Sequence, residues 1–299
     1  MFSFRSFSTI FHSRFNPDLD ADCPVWVTVF CGVSFAFYTM MDAVDGRQAR
    51  RTNTSSPLGQ LFDHGCDCVL AGLLPILVGN ALGTGTAPMP IVISAAQIVF
   101  FTAMWEEKYV GECRTTIFGL IGTSEILTGF ILLQLLSGTV LARGGAEISR
   151  FFVLAILVSF VMGMAVCVSN VLRKTKSMTA LKDLLPILIV NGVFQAVPII
   201  STALPYLSLT LPNSLLTILM IVSSMGKSTF PPIQIWGFVI GLLIAETGAI
   251  FFPSFASDIL LMFAGVFCIY FLSVVVGIVL ELRQFLGISV LTITPAKSS

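Results

Sequence analysis

Four aspartates stand in one short polar stretch of an otherwise apolar chain: Asp42, Asp45, Asp63 and Asp67. A carboxylate at the edge of a lipid-embedded region is costly unless it is paired or bound to metal, so a cluster of this kind marks a functional site. On a helix, positions i, i+3 and i+7 share a face, which lines up Asp42, Asp45 and Ala49; Asp63 and Asp67, at i and i+4, share a face of their own. Two antiparallel helices joined through Thr52 to Leu58 would bring the four carboxylates together. Anions that close repel strongly unless cations neutralise them. Divalent metal meets that need, and an all-oxygen donor set favours Mg2+ or Mn2+ over zinc.

The neighbours of the aspartates extend the chemistry. Gly46 and Gly59 let a ligand approach the backbone, and Ala49 leaves room on the carboxylate face. Arg47, Arg50 and Arg51 are fixed cations suited to phosphate. Acids that hold metal beside arginines that hold phosphate imply a phosphorylated substrate. The bland reading pairs Asp42 and Asp45 with those arginines as a charged helix end. The spacings are not those of an EF-hand, and neither a phosphate-binding loop nor a dinucleotide fingerprint is present. Cys66-x-Cys68 has no partner pair for a zinc site, and Cys31, Cys167 and Cys268 lie in apolar runs as small hydrophobes.

The elements that must position these residues are membrane helices. Hydrophobic residues make up 56% of the 299, charged residues only 11%, and mean hydropathy is +0.94, far from an ordinary soluble domain. Sixteen basic and sixteen acidic residues cancel, so no global field draws the chain to nucleic acid. The fold class expected is an all-α, polytopic membrane bundle of about nine transmembrane helices near 24–46, 59–82, 87–109, 120–142, 150–172, 183–206, 212–226, 231–251 and 257–282. Lys and Arg favour the cytosolic side. With the end of the first span in the cytosol, that side receives Arg47, Arg50, Arg51, Lys108, Arg114, Arg173, Lys174, Lys176, Lys182, Lys227, Arg283 and Lys297, against Arg143 and Arg150 opposite, a split of twelve to two. The aspartates then face the cytosol. Trp26 and Trp105, near span ends, are expected as interfacial anchors.

Residues 1–23 read as an interfacial amphipathic segment, with Phe4, Phe7, Phe11 and Phe15 at helical spacing and Arg5 and Arg14 among serines. A mitochondrial presequence has similar features. A single membrane domain over 24–285 and a cytosolic tail over 286–299 complete the organisation.

The pattern D42-x2-D45-G46-x2-A49-R50-x8-G59-x3-D63-x3-D67 resembles, at every fixed position, the signature of the CDP-alcohol phosphotransferase family. The runs R-R-T-N, S-S-P-L-G and D-H-G-C-D are similar to its eukaryotic choline/ethanolamine phosphotransferase branch, and weaker likeness continues through Trp105, Tyr109, Gly111 and Thr123-Ser124-Glu125. The resemblance implies that Asp42, Asp45 and Asp63 hold two Mg2+ or Mn2+ ions, with Asp67 as general base that also touches one metal. It implies that Gly46, Ala49, Arg50 and Gly59 seat the CDP moiety. The implied substrates are CDP-ethanolamine or CDP-choline and diacylglycerol or alkyl-acylglycerol, and the implied setting is a homodimer in the endoplasmic reticulum or Golgi bilayer. Members of that family usually carry a further helix ahead of the aspartate helix, entered through an Ala-Pro-Asn type motif; here about 23 residues precede the first expected span and that motif is absent. Histidines expected in the late loops are missing after Lys227.

Two other readings compete with the phosphotransferase: a relative using another alcohol acceptor, such as glycerol phosphate, and a non-catalytic membrane protein that binds CDP-lipid precursors. Weaker candidates are Glu125, as a contact for a cationic head group or a packing acid; Glu246, as a packing acid; His64, as an orienting neighbour of Asp63; and Trp105 with Tyr109, as a cation–π site or interfacial anchors. Asn53-Thr54-Ser55 is a formal glycosylation sequon that a cytosolic loop leaves bare.

Overall fold

The computed structural model describes residues 18–19, 24–111, 116–117, 121–137, 145–196, 205–231 and 233–287. Most of the amphipathic segment expected over 1–23 and of the tail over 286–299 lies outside the described residues, as do Arg114, Arg143 and Lys297.

Nine α-helices occur among the described residues: α1 Val25–Arg51, α2 Pro57–Leu82, α3 Met89–Val110, α4 Thr123–Ser137, α5 Gly145–Thr175, α6 Leu185–Ala196, α7 Pro205–Met225, α8 Ile233–Phe251 and α9 Ala256–Leu286. A 3-10 turn over Met178–Leu184 leads into α6, and a ladder of two-residue strands, β1 Thr116–Ile117 and β2 Ile121–Gly122, pairs antiparallel between α3 and α4. Among the described residues six helical stretches are long and apolar enough to cross a membrane, and two shorter apolar helices lie at Glu125–Leu136 and Leu209–Met225. The chain is an integral membrane protein. The outer faces agree: Phe151, Leu154, Val158 and Val161 form an exposed stripe along α5, and Leu261, Met262, Val266, Ile269 and Leu272 do so along α9. Patches of that extent are aggregation hazards in water and are ordinary where lipid is the solvent.

One boundary is corrected. The span expected over 183–206 is divided, because Pro205 and Tyr206 belong to α7. Proline lacks the amide that the first helical turn leaves unpaired, so it opens α7 without penalty.

The turn that positions the aspartates is specified by its own backbone. At the end of α1, Asn53 takes the left-handed conformation with φ 54°, the Thr54 amide donates to the Ala49 carbonyl (2.9 Å) and the Asn53 amide to that of Arg50 (3.3 Å). This is a Schellman closure with asparagine in the place glycine usually holds. The chain re-enters helix with Ser56 as N-cap, its Oγ accepting from the Gly59 amide at 3.1 Å, and Pro57 at the first helical position. The R-R-T-N and S-S-P-L-G runs are therefore the stop and start of two helices.

Helix α7 is the hub, packed on α2, α3, α6 and α9. Its inner face is polar: Thr210, Asn213, Ser214, Thr217 and Ser223 are all buried. In a bilayer such groups join helices by hydrogen bonds. Asn213 exchanges hydrogen bonds with Asn191 of α6 at 3.0 and 3.2 Å. The Cys68 carbonyl of α2 accepts from Gln97 of α3 (3.1 Å) and Ser214 of α7 (3.2 Å), so one α2 carbonyl ties three helices just below the aspartates. Gly72, one turn on, makes the close approach possible, because a Cβ there would collide with Gln97 and Thr210. Helix α1 is held differently: it rests mainly on α4, and meets α2 at the far end through Val27, Cys31 and Leu77.

Gly72→Ala is expected to lower stability by about 1–3 kcal/mol through overpacking. Thermal unfolding of the variant in detergent checks this, and an unchanged midpoint rejects the account of the three-helix tie.

Candidate active site

The site is built on facing stripes of α1 and α2. Tyr38, Asp42, Asp45 and Ala49 share one face of α1, and Gln60, Asp63, His64 and Asp67 occupy about 100° of α2. Carboxylate oxygens of Asp42, Asp63 and Asp67 lie within 4.8 Å of one another; Asp42 and Asp67 are half-buried and Asp63 is exposed. Asp45 stands outside this trio, exposed, one turn further along α1, where the field of Asp63 reaches it. Three of the four expected carboxylates are thus gathered, and the fourth lies at the margin on the side of Asp63.

The arginines are near but do not neutralise the acids. Among the described residues, no Lys or Arg forms an ion pair with Asp42, Asp45 or Asp63. That removes the bland reading of a charged helix end held by its own salt bridges. Arg47, Arg50 and Arg51 are exposed; Arg50 folds back over Gly46, whose added Cβ would lie 3.6 Å from Nη1. Ala49 is half-buried on the same face and Gly59 is exposed at the start of α2, its amide engaged by Ser56. The donor chemistry suits a hard divalent ion: oxygen ligands from three side chains that converge.

One contact was not expected from the sequence. The Tyr38 hydroxyl donates to Asp67 Oδ1 at 3.0 Å, crossing between α1 and α2. The signal lay in the spacing, because Tyr38, Asp42 and Asp45 stand at i, i+4 and i+7. The bond turns Asp67 toward α1, the face that holds Asp42.

Away from the trio, α2 presents Gln60 and His64 to α3. Gln60 Nε2 donates to Glu107 Oε1 at 2.7 Å, and His64 Nδ1 lies 3.9 Å from Glu107 Oε2, too far for a hydrogen bond. Trp105 and Tyr109 do not act as interfacial anchors. Trp105 is fully buried, its Nε1 donating to the Ala180 carbonyl at 3.2 Å, and the Tyr109 hydroxyl donates to Asp183 at 2.9 Å. The loop after α5 returns against this face of α3 and buries it, with Lys108 on Asp183 at 3.4 Å. Trp26, 53% exposed at the start of α1, keeps the place expected of an anchor. Glu125 is exposed in the first turn of α4, outside the trio; the side chain of Glu246 lies outside the described residues. Cys68 is buried and donates its thiol to the Gly65 carbonyl at 3.1 Å, a packing role.

Comparison with known proteins fits this geometry. Residues 23–270 match the family model described as CDP-alcohol phosphatidyltransferase. The chain belongs to that family. Among its relatives, Cholinephosphotransferase 1 of Rattus norvegicus is 34% identical over 133 residues, 44% of this chain and 33% of that protein. Choline/ethanolaminephosphotransferase 2 of Arabidopsis thaliana is 40% identical over 108 residues, 36% of this chain and 28% of that protein. An Uncharacterized CDP-alcohol phosphatidyltransferase class-I family protein 3 of Dictyostelium discoideum is 40% identical over 99 residues, 32% of this chain and 25% of that protein. The matched segments therefore span a third or less of these relatives.

Tyr38→Phe is expected to weaken Mn2+ binding about tenfold, the low end of what losing a partner of a metal ligand costs. Calorimetry on the protein in nanodiscs measures it; Asp42→Asn should lower the affinity further, and wild-type affinity in Tyr38→Phe would remove the orienting role.

Proposed function

We propose that this protein transfers phosphoethanolamine or phosphocholine from the CDP-alcohol to the hydroxyl of diacylglycerol or alkyl-acylglycerol, releasing CMP. The observation that carries the reading is the convergence of Asp42, Asp63 and Asp67 within 4.8 Å, on two helices that lie inside the stretch matched by the family model. The names of the rat and Arabidopsis relatives point to the same head groups.

Each residue has a role in this reading. Asp42, Asp63 and Asp67 would hold divalent ions, Mg2+ or Mn2+, with Asp45 completing a second position beside Asp63. When bound, those ions would supply positive charge to the pyrophosphate and to the departing CMP. Arg50, lying over Gly46, faces the phosphates, and Ala49 and Gly59 leave space for the nucleotide. Asp67 accepts the proton of the acceptor hydroxyl, while Tyr38 occupies its Oδ1 and keeps the other oxygen aimed at the incoming alcohol. The alcohol oxygen then bonds to the phosphorus that bears the amino alcohol, and the bond from that phosphorus to the bridging oxygen of CMP breaks. The acceptor is a lipid, and α1, which packs mainly on α4 and little on α2, is the wall that could yield to a hydroxyl arriving from the membrane. The cation asymmetry supports a site that faces the cytosol, and the family resemblance supports an endoplasmic reticulum or Golgi membrane.

General-base catalysis contributes about 10²–10⁴-fold. Asp67→Asn is therefore expected to retain CDP-alcohol binding and to lose transfer by at least about a hundredfold. The check is transfer of radiolabelled CDP-ethanolamine and CDP-choline to diacylglycerol with Mg2+ or Mn2+, beside a direct binding measurement. Unimpaired turnover in the variant would falsify the assignment of Asp67 as base.

A further inference from the structure

We infer that Glu107 seats the ammonium group of the CDP-alcohol and that its surroundings select the primary ammonium of ethanolamine over the trimethylammonium of choline. The inference rests on the reading above, that a CDP-alcohol lies against the aspartates.

The placement follows from α2. That helix turns Asp63 and Asp67 toward α1 and Gln60 and His64 toward α3, where both meet Glu107. Gln60 stands three residues before Asp63 and His64 directly after it, so at a rise of about 1.5 Å per residue the Glu107 carboxylate is level with Asp63 on the neighbouring flank of the helix. The chain from phosphorus through oxygen and two carbons to nitrogen spans on the order of 5 Å with bonds of about 1.5 Å. A phosphate at the aspartates therefore carries its head group to this flank.

The contacts of Glu107 fit a donor. Its Oε1 is taken by Gln60, whereas Oε2 holds no hydrogen bond among the described residues and has only His64 Nδ1 at 3.9 Å. The side chains of His64 and Glu107 are 21% and 20% exposed, open enough for a small group yet screened from bulk water. The Nδ1 atom of His64 is buried and likewise without a hydrogen bond. A primary ammonium brings three N–H donors and makes a charge-assisted bond to such a carboxylate oxygen.

A trimethylammonium brings none and is recognised chiefly by aromatic faces. The aromatic residues of α3 are turned away from this flank. Trp105 and Tyr109 lie two residues either side of Glu107, about 200° around the helix. They pack edge to face on each other at 5.7 Å and are anchored on Ala180 and Asp183. The remaining charges of this helix end are occupied: Lys108 by Asp183, and Glu106, 2% exposed, by Asn170 of α5 at 2.8 Å.

The test uses the full chain in nanodiscs with Mn2+. Binding of CDP-ethanolamine and of CDP-choline is measured by calorimetry first for the wild type, then for Glu107→Gln and Glu107→Asp, and transfer of both head groups is assayed in parallel. The expected result is a preference for CDP-ethanolamine of tenfold or more, a ratio falling toward one in Glu107→Gln, and a ratio largely kept in Glu107→Asp. Equal or tighter binding of CDP-choline by the wild type overturns the inference whatever the variants do, as does a Glu107→Gln protein in which both donors weaken by the same factor, the mark of a purely structural tie between α2 and α3. A binding preference without transfer of either head group supports the ammonium seat while rejecting the transferase reading; transfer of both at equal efficiency, indifferent to Glu107, does the reverse.

Discussion

The mutual repulsion of Asp42, Asp63 and Asp67 is the constraint around which this structure is arranged. Left alone, three carboxylates with oxygens inside 4.8 Å would push α1 and α2 apart. What opposes them is covalent and local: a short turn, closed at one side by Asn53 and opened at the other by Ser56 and Pro57, which returns the chain antiparallel. Within that frame the phenol of Tyr38 supplies a neutral donor to one carboxylate.

Rigidity comes from the opposite side of α2. Its carbonyl at Cys68 is gripped by Gln97 and Ser214, and Gly72 permits α3 and α7 to come close enough to do so. Hydrogen bonds take this role because apolar contact between helices gains little when the competing surroundings are lipid tails. The acids therefore sit on a helix whose back is pinned and whose front is free to meet ligand. Helix α1, resting on α4 and touching α2 mainly at the far end, is the less constrained wall.

Much of this was legible in the residues. The nine apolar runs overlap nine helices among the described residues, and six stretches there are long and apolar enough to cross a bilayer. The aspartate spacing foretold which carboxylates could share a face. What escaped was information held between elements. Trp105 at a span end looks like an anchor until the loop carrying Ala180 and Asp183 returns to bury it. Glu107 is one charge in a mixed run, W-E-E-K-Y, and only the packing of α3 on α2 separates it from Glu106, which α5 claims instead. The division of the span over 183–206 hinged on whether Pro205 ends a helix or begins one, and proline permits both.

The self-contained turn between α1 and α2 carries an implication for biogenesis. The backbone bonds that shape it are made by residues 48–60, so its geometry waits on no later segment of the polypeptide. A helical hairpin with such short-range contacts can form as soon as both segments have left the ribosome, since closing a small loop costs little entropy. The aspartate hairpin would then take shape without waiting for the helices that follow it, which assemble against it as they are inserted.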